Sequence, residues 1–281
     1  MATILELENI ASQVRRDIVR MVNGCSSGHP GGSLGCADLM TALYFEVLEL
    51  KPESFTMEGK GEDMFFLSNG HISPVWYSVL SRRGFFPVSD LATFRALGSP
   101  LQGHPTPKYG LKGIRVASGS LGQGLSVGIG AALSKKMDGC GHLVYTLHGD
   151  GELQEGQIWE AVMFAGGNKV DNLISIVDYN NAQIDGDVDT VLNIGNLKAK
   201  FLAFDWEVVE MQGNDMKDCL RGLKEAKDLT KKGKPVVILM HTLMGYGVDF
   251  MQGLSSWHGI APNAEQTLSA MSQLKETLGD Y

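Results

Sequence analysis

The chain has 281 residues, enough for one large or two small α/β domains with a substantial buried core. Its 43 % apolar and 20 % charged residues are those of a globular protein, and a net charge of −8 without a domain-scale basic patch argues against nucleic acid or an anionic membrane as the main partner. The four cysteines (Cys25, Cys36, Cys140, Cys219) lack zinc-like spacing, no apolar run reaches the ~18 residues of a membrane span, and the amino terminus is unlike a signal peptide, so the expectation is a cytoplasmic protein with reduced, buried thiols.

In chain order, Ile4, Leu7, Ala11, Val14, Ile18 and Val22 recur at helical spacing and predict an amphipathic helix over 4–24. A glycine- and serine-rich turn carrying His29 follows, then a helix from about Ser33 to Leu48. Met64 to Ser68 is a short apolar run closed by Asn69-Gly70-His71, as expected of a buried strand delivering a histidine to a turn. Two short helices fit 73–97. Residues 99–119, rich in proline and glycine, predict a long irregular segment carrying His104, of the kind that is functional or disordered in a compact domain. Ala117 to Gly124 opens a small-residue helix to about Met137. Strands are expected at 143–147, 173–177, 206–211 and 235–240, helices at 153–168, 215–231 and 265–278, and irregular chain at 187–200. This alternation, without repeats or a long linker, predicts a single doubly wound α/β domain over 1–281, with a mostly parallel sheet and helices on both faces.

Gly149-Asp150-Gly151 and Asp178-Tyr179-Asn180-Asn181 sit at the centre of that arrangement. A helix over 153–168 advances roughly 23 Å and a strand over 172–179 returns roughly 23 Å, so Asp150 and Asn180 should meet at the carboxyl ends of neighbouring parallel strands. A carboxylate, a carboxamide and nearby carbonyls are hard ligands suited to Mg²⁺ or Ca²⁺. Gly151 and the following helix start would let a diphosphate approach closely. A plain strand-to-helix turn, with Asp150 as a cap and Asn180 in a turn, fits the same residues. Glu155 and Glu160, five apart, lie about 140° apart on the helix wheel and do not share a face.

The motifs SGHPGG, LSNGH, GHP, SGSLGQG, GDGELQEG, DYNNAQIDG and WHGIAP, in this order, resemble the diphosphate-binding half of the transketolase family over nearly the whole chain. The resemblance implies a thiamine diphosphate-binding fold and Mg²⁺- or Ca²⁺-assisted binding of thiamine diphosphate. It also implies transfer of a two-carbon ketol unit from a ketose phosphate to an aldose phosphate. By position, Asp150, Asn180 and the carbonyl of Ala182 correspond to metal ligands; His71 and Gly151 to diphosphate contacts; Gly119, Leu121 and Ile184 to the wall around the cofactor. His29 and His104 correspond to ketose-binding, proton-transferring groups, His258 to a group near the phosphates and the reacting carbon. Glu155 and Glu160 correspond to acids at a subunit contact linking two cofactor sites. Two departures stand out: Gly245-Tyr246-Gly247 where the family commonly has Gly-Lys-Gly, and Ser120 where proline is common. The glutamate that activates the cofactor and the arginines that hold the sugar phosphate belong, in the family, to a second, pyrimidine-binding half. The expectation is therefore one subunit of a split enzyme in the pentose phosphate pathway, inactive without a partner and forming an α₂β₂ assembly. The alternatives are a subunit of another thiamine diphosphate enzyme, for an unusual sugar or a 2-oxo acid, and a non-catalytic cofactor-binding half.

Overall fold

The computed structural model describes residues 2–281. Its core is one parallel sheet. Strands β1 (Met64–Leu67), β2 (Val144–Gly149) and β3 (Leu173–Tyr179) are followed by a short antiparallel ribbon, β4 (Ala182–Gln183) with β5 (Gly186–Asp187), and then by β6 (Glu207–Gln212) and β7 (Val236–His241). The sheet order is β1-β2-β3-β7-β6, with all four pairings parallel.

Parallel strands covered on both faces read as continuous apolar runs, and their alternate residues feed two cores. Phe65, Tyr145, Ile174 and Ile238 point into one with α1 (Ile4–Gly24), α2 (Pro30–Gly35), α3 (Ala37–Ala42) and α4 (Ser73–Arg82). Phe66, Val144, Leu173 and Val237 point into the other, with α5 (Gly124–Met137) and α6 (Gly156–Gly167). Each fully buried aliphatic side chain contributes about 1.5–3 kcal/mol of transfer free energy. The α1 stripe Leu7, Ala11, Val14, Ile18 and Val22 is wholly buried, and the helix starts at a Thr3/Glu6 capping box.

The expected 153–168 helix begins as a 3₁₀ turn over Gly151–Gln154, and α6 proper starts at Gly156. The helix expected over 33–48 starts earlier, with Pro30 in its first turn. It breaks at Cys36 and finishes as a π turn over Leu43–Val47. Residues 187–200 are not irregular. They form α7 (Val188–Leu192) and α8 (Leu197–Ala203), the latter capped by Asn196 and held by the buried Leu197 and Phe201. After β6, α9 (Met216–Leu229) leads to β7, and α10 (Ala264–Gln273) stops short of residue 278. Its continuation is claimed by α1: Arg16 donates to the carbonyls of Met271 and Leu274, Ser12 to that of Lys275, and the Thr277 hydroxyl to that of Asn9. Among the described residues no helix is long and apolar enough to cross a membrane.

Candidate functional site

The register places Gly149 opposite Asp178, and the backbone N–H of Asp150 donates to the Asp178 carbonyl at 3.1 Å. Asp150 and Asn180 therefore meet at the carboxyl ends of β2 and β3, as their spacing predicted. Asp150 accepts the N–H of Gly151 on one oxygen (2.8 Å) and the N–H of Asn181 on the other (2.5 Å). Asn181 turns back through a left-handed backbone, φ 58°, that asparagine tolerates better than most residues. Asn180 donates its amide to Asp178 (2.8 Å) and accepts the N–H of Ala182 on its oxygen (2.8 Å), which fixes the orientation of the carboxamide.

Asp150 is 1 % exposed. Burial, with the Asp178 charge adding to it, pushes its carboxyl up to about 7, and burial pushes that of Asp178 up to about 6. Asp178 is a site residue that the sequence did not lead us to expect. It also accepts a hydrogen bond from the Thr242 hydroxyl, tying the end of β3 to the residue that follows β7.

Three imidazoles converge above this pair. The ring centroids of His29 and His71 are 5.0 Å apart, those of His71 and His258 5.0 Å, and those of His29 and His258 5.6 Å. His29 follows the turn that Gly28 makes at φ 138°, where a side chain would meet Val22 at 3.0 Å; His71 sits in the 3₁₀ turn after β1; His258 closes the short turn Ser255–Trp257. Burial, followed by the neighbouring charges of His258, Arg95 and His104, brings His29 down to about 4. Burial likewise depresses His71, His104 and His258. All four are thus neutral near pH 7, each with one nitrogen able to accept a proton and one to donate.

A cavity of about 400 Å³ joins these groups. His29, His71, His104, His258, Gly119, Leu121, Asp150, Gly151, Glu155, Asn180, Ala182 and Ile184 all line it, so the fold brings together every expected site residue except Glu160, which is exposed on α6. Tyr246 lies instead beneath the Arg15 guanidinium, 4.9 Å from its ring centroid, and Ser120 lines a separate small pocket beside Ser68.

Glu152 is a second site residue not expected from the sequence; it stands directly after the Gly-Asp-Gly motif, where an acid reads as an ordinary helix start. It is 2 % exposed and accepts the backbone N–H groups of Gly122 (2.8 Å) and Gly149 (3.2 Å) and the hydroxyl of Ser68. Burial raises its carboxyl, but the bonds and charge of His148, with those of Ser68 and Gly122, outweigh it and hold the group below its ordinary value.

The cavity suits a metal-bound diphosphate with an attached ring system. The buried Asp150 forms no ion pair with a lysine or arginine among the described residues, and Asn69 Oδ1, His29 Nδ1 and His258 Nδ1 are buried without partners. Leu121 and Ile184, 36 % and 64 % exposed, provide an apolar wall beside these polar groups.

Residues 7–279 match the family model described as transketolase, thiamine diphosphate binding domain. Over 272 residues the chain is 39 % identical to an apulose-4-phosphate transketolase subunit from Phocaeicola vulgatus, covering 97 % of this chain and 95 % of that one. It is 35 % identical to the 6-deoxy-6-sulfo-D-fructose transketolase subunit SqwG of a Clostridium species, with 97 % of both chains covered. Among solved structures, transketolase from Leishmania mexicana superposes with a TM-score of 0.89 at 30 % identity. That match covers 100 % of this chain and 43 % of that one, so the chain spans less than half of that protein.

Proposed function

This chain belongs to the transketolase family, and on that premise we propose that it is the diphosphate-binding subunit of a split, thiamine diphosphate- and Mg²⁺-dependent ketol transferase. The observation that carries the reading is that three close-packed neutral imidazoles and the Asp150/Asn180 pair face one cavity at the carboxyl ends of β2 and β3. Relatives of the same length are named as transketolase subunits, which supports a complex in which a pyrimidine-binding partner completes the cofactor site, in an α₂β₂ arrangement.

Asp150, Asn180 and the carbonyl of Ala182 would hold the metal, and Gly151 and His71 the diphosphate. Leu121, Gly119 and Ile184 would exclude water from the bound cofactor. When bound, thiamine diphosphate supplies a carbon nucleophile that adds to a ketose carbonyl and carries the two-carbon unit to an aldose. The chain's own part is binding and proton management. His29 and His258, which line the cavity, would donate to the substrate carbonyl oxygen, and His104 would accept a hydroxyl proton as the carbon–carbon bond breaks. Their depressed pKa values keep them neutral near pH 7, where an imidazole serves either direction of proton transfer.

An unusual sugar, such as a sulfonated one, as the substrate is the second reading, favoured by the sugars in the names of the two relatives. The test is reconstitution. The chain, thiamine diphosphate, Mg²⁺ and a pyrimidine-binding subunit should together move ketol units between sugar phosphates, and neither protein alone should do so. Full activity of the chain alone would overturn the split-subunit reading. Turnover of pyruvate in place of ketoses would identify a 2-oxo acid enzyme, and cofactor binding without turnover a non-catalytic half.

A further inference from the structure

His104 lines a second cavity as well, of about 700 Å³, together with Ser27, Arg95, Gln102, Thr106 and Lys108. Asp150 and Asn180 line only the first cavity, so His104 stands between the metal-diphosphate anchor and this second space. No carboxylate lines the second cavity. Among the described residues neither Arg95 nor Lys108 forms an ion pair.

The placement of Arg95 is built rather than incidental. Its backbone is left-handed at φ 59°, with its N–H donating to the Leu101 carbonyl (2.9 Å), a conformation that costs a residue bearing a Cβ roughly 1 kcal/mol. Strain of this kind clusters where a side chain must be aimed. One Nη donates to the Ser27 hydroxyl (2.8 Å), in the turn that leads to His29. The guanidinium lies against Gly103, where an added Cβ would sit 2.6 Å from its Cζ, next to His104. Its Nε is buried with no partner. The other Nη makes no hydrogen bond among the described residues, and Lys108 lines the same pocket; a planar fork so held, with a free charged donor and a second cation nearby, matches a tetrahedral oxyanion.

We propose that this pocket receives the terminal oxyanion, a phosphate or a sulfonate, of the sugar whose carbonyl end reacts in the first cavity. Arg95 is the recognition residue and Lys108 a weaker, longer-range contributor. The inference rests on the ketol-transfer reading for the identity of the ligand, and it assigns to this chain a share of anion recognition that the family resemblance leaves wholly to the partner.

Two measurements test it. Titration of the full chain with inorganic phosphate, and separately with methanesulfonate, should shift the Nε–H resonance of Arg95 in ¹⁵N spectra, assigned by its loss in Arg95→Gln; the tighter of the two identifies the preferred terminus. In the reconstituted complex, Arg95→Gln should raise KM for a phosphorylated aldose about 10- to 100-fold more than for uncharged glycolaldehyde, the range expected for a lost charged hydrogen bond. Lys108→Gln should raise it a few-fold in the same sense. Equal losses with both acceptors would show that Arg95 only braces the histidine turns, and would overturn the proposal. So would the absence of any shift with either anion. If the wild-type complex moves no ketol units, the proposed function falls, while the anion titration still decides whether the pocket is a site. Should Arg95→Gln fail to fold, Arg95→Lys, which also lacks the guanidinium Nε–H, assigns the resonance for the wild-type titration, and Lys108→Gln carries the kinetic decision.

Discussion

Glu152 accepts the backbone N–H of Gly122 at 2.8 Å, and through this bond the turn after β2 holds the loop that carries Gly119 and Leu121. Because the same carboxylate also takes Gly149 N–H and the Ser68 hydroxyl, truncation strands several buried donors at about 1–3 kcal/mol each. Glu152→Ala is expected to lose at least about 3 kcal/mol in urea unfolding, and Glu152→Gln, which keeps one acceptor oxygen, less. Thiamine diphosphate should bind both more weakly. An unchanged unfolding midpoint for Glu152→Ala would show that the bonds carry no net stability.

Acid should destabilise the chain partly through His29. Its folded pKa, about 4, lies below the ordinary 6.5, so between those values the unfolded chain takes up a proton that the folded chain refuses. The contribution is complete above pH 6.5 and is lost as pH falls toward 4. After allowance for its partial exposure, the stability gap between wild type and His29→Asn should shrink by roughly 1–2 kcal/mol from about pH 7.5 to about pH 5. Denaturant titrations at the two pH values check this; a gap that widens on acidification would contradict the assignment.

Divalent-metal binding should also depend on pH. Asp150, raised to about 7, must lose its proton to coordinate a cation, so apparent Mg²⁺ affinity in the presence of thiamine diphosphate should fall about tenfold per unit below about pH 7. Calorimetric titrations at about pH 8 and about pH 6 measure it directly. Asp150→Asn should bind far more weakly, without that slope. A wild-type affinity flat across this range would remove Asp150 from the ligand set.

Two glycine-to-alanine changes should act in opposite directions. A Cβ at Gly166 would lie 1.9 Å from the Phe204 carbonyl oxygen, so Gly166→Ala must push α6 away from the segment before β6, and a loss of several kcal/mol or failure to fold is expected. Gly130, in the interior of α5, has nothing within 4 Å, and Gly130→Ala should gain up to about 1 kcal/mol in the isolated chain. Thermal unfolding of the two variants settles both signs.

Met163 and Phe164 are 59 % and 47 % exposed on α6, within one turn of Glu160, where the family resemblance implies a subunit contact. Replacing both with glutamate should weaken association of the assembled complex at micromolar concentration, read by analytical ultracentrifugation, while leaving unfolding of the isolated chain within about 0.5 kcal/mol. Undiminished assembly would place the contact elsewhere.

The parallel sheet and the meeting of Asp150 with Asn180 were legible in the sequence because strand and helix lengths constrain each other across one crossover. The clustering of the histidines was legible only through motif resemblance, since His29, His104 and His258 arrive from turns whose paths no local periodicity encodes. Asp178 was hidden inside an apolar strand. Strand alternation alone would have set it on the same face as Ile174 and Ile176, buried and therefore in need of partners. Residues 187–200 were read as irregular because their polar residues obscured the capping Asn196 and the Leu197/Phe201 spacing. The early end of α10 depends on bonds to α1 from the far end of the chain, which no window of sequence contains.

His29, His71, His104, Asp150, Asn180 and His258 come from separate connections spread over most of the chain's length, and the cavity exists only where those connections meet. No sub-fragment built from consecutive elements can hold it, so the site is an all-or-none product of the complete sheet. A ligand that needs this convergence has nothing to grip in a partly folded chain. Binding should therefore leave the refolding rate nearly unchanged and act on the other limb, lengthening the lifetime of the native protein against unfolding and proteolysis.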